Sequence, residues 1–143
     1  MEKILVLCTG NSCRSQMVHA YMEKYLGDKV KVYSAGVEIH GVNPRVVKVM
    51  AEDGIDISHH TSNNVSEYDN ESFDYVITVC DHAREVCPYF PKTKKMLHHS
   101  FHDPATAWGK EEDVLKVFRE VRDEIKAYCL EFQKKYDTAA EVR

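Results

Sequence analysis

Five residues separate Cys8 from Arg14 in Cys8-Thr9-Gly10-Asn11-Ser12-Cys13-Arg14-Ser15. These residue types at this spacing can carry out nucleophilic chemistry on an oxyanion. A thiolate is the attacking group. Gly10 and Asn11 readily take positive φ, so the backbone can curl and turn successive N–H groups inward as an anion nest. Arg14 adds a planar fork of donors. Cys8 is thus the candidate nucleophile, and Thr9, Gly10, Asn11, Ser12, Cys13, Arg14 and Ser15 form the candidate oxyanion-binding set. A nucleotide-type phosphate loop would end in Gly-Lys-Ser/Thr, which is missing here. Within the set, the Asn11 amide is expected to lock the loop, and Ser15 to hydrogen-bond the Cys8 thiolate or cap the following helix. Cys13 is expected to point outward and, like Cys129, to fill a structural position.

Such a loop works only if a strand and a helix hold its two ends. Ile4-Leu5-Val6-Leu7 reads as a buried strand delivering Cys8. Residues 14–26 carry Met17, Val18, Tyr21, Met22 and Tyr25 at helical spacing and stop at Gly27. A helix beginning near residues 13–15 aims its N-terminal N–H groups and dipole at the loop, which favours the thiolate of Cys8. Residues 30–35 alternate as a second strand ending at Gly36, and a strand-helix-strand unit implies parallel pairing. Asn43-Pro44 opens a helix through about residue 53, with Gly54 past its end. Residues 58–70 are polar and read as a loop. Residues 73–79 are the clearest buried strand, residues 95–101 a weaker one, and residues 111–136 a long amphipathic helix. The order predicts one doubly wound α/β domain over residues 1–143, with its site beyond the carboxyl ends of the strands.

The strand at 73–79 delivers Cys80 to the same sheet edge as Cys8, and Cys87 follows seven positions later. On a helix seven residues span about 10 Å. A disulfide needs Cα atoms within about 7 Å, so a Cys80–Cys87 bond would require this segment to unwind. Two small buried thiols in the core are the alternative. Asp103 is the candidate general acid, because Pro104 biases it toward an extended backbone that can aim its carboxyl at the oxyanion.

The chain has 143 residues, 43% hydrophobic and 29% charged, with a formal net charge of −4. That balance fits one soluble domain with no broad attraction for nucleic acid. No apolar run reaches membrane-span length and no signal-peptide pattern opens the chain, so a cytoplasmic protein is expected. Five cysteines are an odd number for a disulfide framework and fit catalysis or redox cycling better. Neither their spacing nor the histidines His59-His60, His98, His99 and His102 complete a metal pattern.

The Cys8 loop resembles that of the low-molecular-weight tyrosine phosphatases and of the arsenate reductases on the same scaffold. Residues 10–17, Tyr33-Ser34-Ala35-Gly36, His40-Gly41-Val42-Asn43-Pro44, Cys80 with Cys87-Pro88, Asp103-Pro104-Ala105 and Val121-Arg122-Asp123-Glu124-Ile125 are similar to the thioredoxin-coupled arsenate reductases. The resemblance implies a three-layer domain with helices on both faces of a four-stranded parallel sheet of order 2-1-3-4. It implies reduction of arsenate to arsenite, with phosphate a competing oxyanion. Cys8 would attack arsenate, Asp103 would protonate the departing oxygen, Cys80 would attack the Cys8 sulfur, and Cys87 would take over the disulfide for thioredoxin to reset. No cofactor, membrane or nucleic acid is implied, and a monomer is expected. Some reductases of the family bind potassium through carboxylates near the first helix, where this chain carries His19 and Asn63. A phosphatase using Cys8, Arg14, Asp103 and water remains the alternative, and a non-catalytic redox sensor is a third reading.

Overall fold

Ile4, Leu5, Val6 and Leu7 are all fully buried, so neither face of the first strand meets water. A strand covered on both sides belongs at the centre of a sheet. In the computed structural model, which describes residues 1–87, 90 and 93–142, that strand is β1 (Glu2–Cys8). It pairs in parallel with β2 (Val30–Gly36) on one side and with β3 (Tyr75–Thr78) on the other. The outer strand β4 (Lys95–His98) pairs with β3, which gives the parallel order β2-β1-β3-β4. Cys8 falls opposite Gly36 in the register, and Thr78 opposite His98.

Three helices form one layer. The helix α1 (Arg14–Leu26) ends where the sequence placed it, but Gly27 has φ −61° and is not left-handed. In α2 (Pro44–Glu52), Asn43 caps the start by accepting from the Arg45 N–H, and Gly54 at φ +78° terminates the turn as expected. The long α4 (Glu111–Val142) runs past the anticipated end near residue 136. Contacts tie these helices together: Cys129 Sγ of α4 lies 3.9 Å from the Val18 carbonyl of α1, and Arg122 donates to the Val49 carbonyl of α2. Tyr75 turns its ring onto Phe132 and Tyr136, so this layer covers the sheet face that Tyr75 occupies.

The opposite face carries Tyr33, whose ring meets Tyr68 and Phe73 edge-on, and Phe73 in turn meets Phe90. Tyr68 reaches it from a 3-10 turn, Val65–Tyr68, inside the segment read as an unstructured loop. Asn64 and Glu67 close a reciprocal capping box there, the local signal that stops the turn from fraying. The short α3 (Asp81–Val86) adds buried Ala83 between the two cysteines. β3 and β4 are shorter than expected because the chain leaves the sheet at Val79 and His99 for the loops that build the site. Among the described residues no helix is long and apolar enough to cross a membrane.

Candidate active site

The loop after β1 is held from outside by the chain that follows β2. The N–H groups of Val37, Glu38, His40 and Asn43 donate to the carbonyls of Cys8, Thr9, Gly10 and Ser12. The Asn11 carbonyl accepts from the Ser62 hydroxyl at 2.6 Å and from Gln16 Nε2 at 3.0 Å. No peptide among the described residues is cis, so each N–H points opposite to its own carbonyl. The carbonyls of Cys8, Thr9, Gly10, Asn11 and Ser12 are thus taken up by other parts of the chain, and Thr9, Gly10, Ser12 and Cys13 line a cavity to which their amides are available. An anion nest results from this division.

Asn11 is the only described non-glycine residue with positive φ, at 49°. It is completely buried, and its side chain works in both directions: Nδ2 donates to Ser15 Oγ at 2.7 Å, and Oδ1 accepts from the Asn63 N–H at 2.8 Å. Asn11 and Ser15 therefore stand behind the cavity wall as its brace. Gly10 has a different reason to be glycine, because its φ is not positive. A Cβ there would lie 2.3 Å from His40 Nδ1. His40 lines the cavity and contacts Glu38 Oε2 at 2.7 Å, a placement the sequence alone did not signal. Gly36 is needed for the same kind of close approach, since a Cβ would fall 2.7 Å from the Asn11 nitrogen.

The cavity encloses about 160 Å³, small beside the roughly 300–1,000 Å³ typical of sites for drug-sized ligands. An inorganic oxyanion is the appropriate size. Cys8 lies at its floor, 3% exposed. Arg14 closes one side: Nη1 reaches the Phe101 carbonyl at 3.3 Å, Nη2 stands 3.6 Å from Asp103 Oδ2, and Nε is buried with no partner. A buried donor left unpaired on a guanidinium is costly, and a bound anion would satisfy it. Asp103 has the extended backbone anticipated before Pro104, and its Oδ1 accepts from the Ala105 N–H. That bond orients the carboxyl over the mouth. Ala105 completes the rim.

The other thiols divide into two groups. Cys13 is buried at the cavity wall and does not turn outward as expected. Removal from water pushes its thiol up to about 11. Cys129 is fully buried, and burial pushes its thiol up as well. Cys80 occupies the N-cap position of α3 without a side-chain capping bond, and its Sγ lies 3.3 Å from Thr9 Oγ1, one residue beyond the candidate nucleophile Cys8. Cys87 is half-buried at the other end of α3, with its thiol also raised by burial. The helix between them is the regular spacer the sequence argument considered. Pro88 lies outside the described residues. The histidines engage neighbours: the His99 ring lies tilted against those of Phe101 and Tyr128, His19 Nδ1 meets Ser34 Oγ at 2.8 Å, and His60 Nδ1 meets Gln16 Oε1 at 2.9 Å. Among the described residues no group of three or more His, Cys, Asp or Glu side chains is arranged to hold a metal ion.

Comparison with known proteins agrees with this geometry. Residues 3–141 match the family model described as low molecular weight phosphotyrosine protein phosphatase. An arsenate reductase from Halalkalibacterium halodurans is 54% identical over 122 residues, covering 85% of this chain and 88% of the relative. A solved arsenate reductase in a phosphate-binding state superposes with a TM-score of 0.81 at 30% identity, covering 94% of this chain and 98% of the other. A thioredoxin-dependent arsenate reductase from Corynebacterium glutamicum gives a TM-score of 0.77 at 26% identity, covering 97% of this chain and 63% of that one. The chain belongs to the low molecular weight phosphotyrosine protein phosphatase family, within the group of its arsenate reductases.

Proposed function

We propose that this protein reduces arsenate to arsenite through a relay of Cys8, Cys80 and Cys87 that thioredoxin resets. The observation that carries the reading is the position of Cys80, whose sulfur meets Thr9 beside the nucleophile. Phosphoester hydrolysis through Cys8, Arg14 and Asp103 requires no second thiol there.

Arsenate enters the nest and satisfies the loop amides and Arg14. The Cys8 thiolate attacks arsenic, Ser15 supports that thiolate with its hydroxyl hydrogen, and Asp103 gives a proton to the departing oxygen, which leaves as water. Cys80 then attacks the Cys8 sulfur. The sulfur–arsenic electron pair stays on arsenic, which leaves as arsenic(III), and the two electrons are balanced by a Cys8–Cys80 disulfide. Cys87 next attacks Cys80 and releases Cys8 as a thiolate. Because α3 separates Cys80 from Cys87, this exchange requires the helix to unwind. The dithiol of thioredoxin reduces the resulting Cys80–Cys87 bond by exchange. No metal or organic group is needed for any step. A monomer in the cytoplasm suits a reaction that consumes and regenerates thiols.

Phosphate fits the same cavity, and Cys8, Arg14 and Asp103 suffice for phosphoester hydrolysis, so residual phosphatase activity is expected. Arsenate-dependent NADPH consumption with thioredoxin and thioredoxin reductase tests the reading. Turnover lost in Cys87→Ser while phosphoester hydrolysis persists supports the relay. Strong hydrolysis without arsenate turnover in the wild type would make the protein a phosphatase.

A further inference from the structure

We propose that His98 is a positioning residue for Cys80, holding the backbone on both sides of the attacking thiol. The inference rests on the relay above and assigns to it a residue outside the cavity.

His98 is the last residue of β4 and lies opposite Thr78 in the register. Its Nδ1 is 2.7 Å from Thr78 Oγ1, and its Nε2 is 2.9 Å from Asp81 Oδ1. Thr78 and Asp81 bracket Val79-Cys80, so one imidazole ring ties the end of β3 to the start of α3 across the residue that must attack. The ring is largely covered at 21% exposure, whereas Asp81 is 75% exposed. The covered ring thus draws the exposed carboxylate of Asp81 against the end of the sheet.

The hydrogen bonds hold in either charge state of the ring. A carboxylate only accepts, so Nε2 carries a hydrogen toward Asp81. With Nδ1 unprotonated, the Thr78 hydroxyl donates to it. With Nδ1 protonated, Thr78 accepts and turns its own hydrogen to the Leu97 carbonyl, 3.4 Å away.

The surrounding chain shows what the clamp adds. Val79 is fixed by its N–H on the Leu7 carbonyl and by its carbonyl on the Phe101 N–H. Beyond it the chain turns out of the sheet, and Cys80 has the extended φ of −147° that points it back to Thr9. That direction depends on where Asp81 is held. Sulfur-on-sulfur attack is sensitive to alignment, and a misplacement of about 1 Å can cost up to 10²-fold in rate.

The test is single-turnover arsenite release in a Cys87→Ser background, which isolates the first disulfide, read beside para-nitrophenyl phosphate hydrolysis. His98→Ala is expected to slow arsenite release about ten-fold at saturating arsenate, with KM for arsenate and phosphatase kcat within two-fold of the parent. His98→Gln, whose amide can still donate to Asp81, recovers most of the rate. Thr78→Val, which keeps the shape and removes the hydroxyl, gives a smaller loss in the same step. Unchanged release in His98→Ala overturns the proposal, as does a parallel fall in both activities without rescue by His98→Gln. Full arsenite release in Cys80→Ser would remove the relay itself, an outcome distinct from a normal rate in His98→Ala.

Discussion

Arg14 Nη2 and Asp103 Oδ2 stand 3.6 Å apart across the mouth of the cavity, near enough to attract and too far for a hydrogen bond. A closed pair would neutralise both groups. Held apart, the guanidinium can bind the oxyanion and the carboxyl can serve the oxygen that leaves. Asp103→Asn should lower kcat for arsenate by about 10²- to 10⁴-fold, the usual contribution of a general acid, with little change in KM. Arg14→Lys, which loses the planar fork, should raise KM as well. Steady-state kinetics on the two variants separates the roles.

Gly10→Ala should deform the loop, because the added methyl meets Nδ1, Cγ and Cβ of His40 at 2.3–2.9 Å. The expected cost is about 1–3 kcal/mol of stability, as for overpacked sites. Adding His40→Ala should return most of it. A double-mutant cycle measured by urea unfolding reads the coupling, and additive losses would show that the clash is not the cause.

Asn11→Ala and Asn11→Gly should differ. Both lose the bonds to Ser15 and to the Asn63 N–H, but only alanine is also strained at φ 49°. The shared loss is about 2–3 kcal/mol for two buried hydrogen bonds, and alanine should lose roughly another 1–2 kcal/mol for the left-handed backbone. Unfolding midpoints of the two variants measure that gap directly.

Lowering the pH should destabilise the fold through His60. Burial, followed by the neighbouring His19 and His59, brings its ring down to about 4. The unfolded chain protonates this histidine near 6.5, so between 6.5 and 4 it binds more protons than the native state. The stability is complete above about 6.5 and is lost as pH falls toward 4. After discounting for partial exposure the loss from pH 7 to 5 is about 1–2 kcal/mol. Denaturant titrations at both pH values should show a smaller drop for His60→Gln.

The sequence carried the elements whose signals are local. Amphipathic spacing gave α1 its bounds, Asn43-Pro44 and Gly54 gave α2 its ends, and Asp103-Pro104 gave the extended backbone at the candidate acid. The last helix is expected to end near residue 136, yet α4 continues because Asp137-Thr138-Ala139 offers nothing that stops a helix. Gly10 was read for its freedom of φ and serves instead to admit His40. The brace of Asn11 by Ser62 and Asn63 spans more than fifty residues, and no spacing rule reaches that far. For the same reason His98 read as one of several ordinary histidines, although the register of β3 and β4 brings it to Thr78.

Cys8 ends the central strand, bonded to neighbours on both sides, whereas Cys87 ends a helix of six residues packed through Ala83. Amide hydrogen exchange separates such regions by their opening energies, up to global unfolding for a core strand and far less for a short surface helix. The two ends of the proposed relay thus belong to different cooperative units. In the proposed relay, the segment that would come apart in each cycle can open and close while the Cys8 loop stays folded, so a local unfolding reaction could repeat without exposing the core to aggregation or proteolysis.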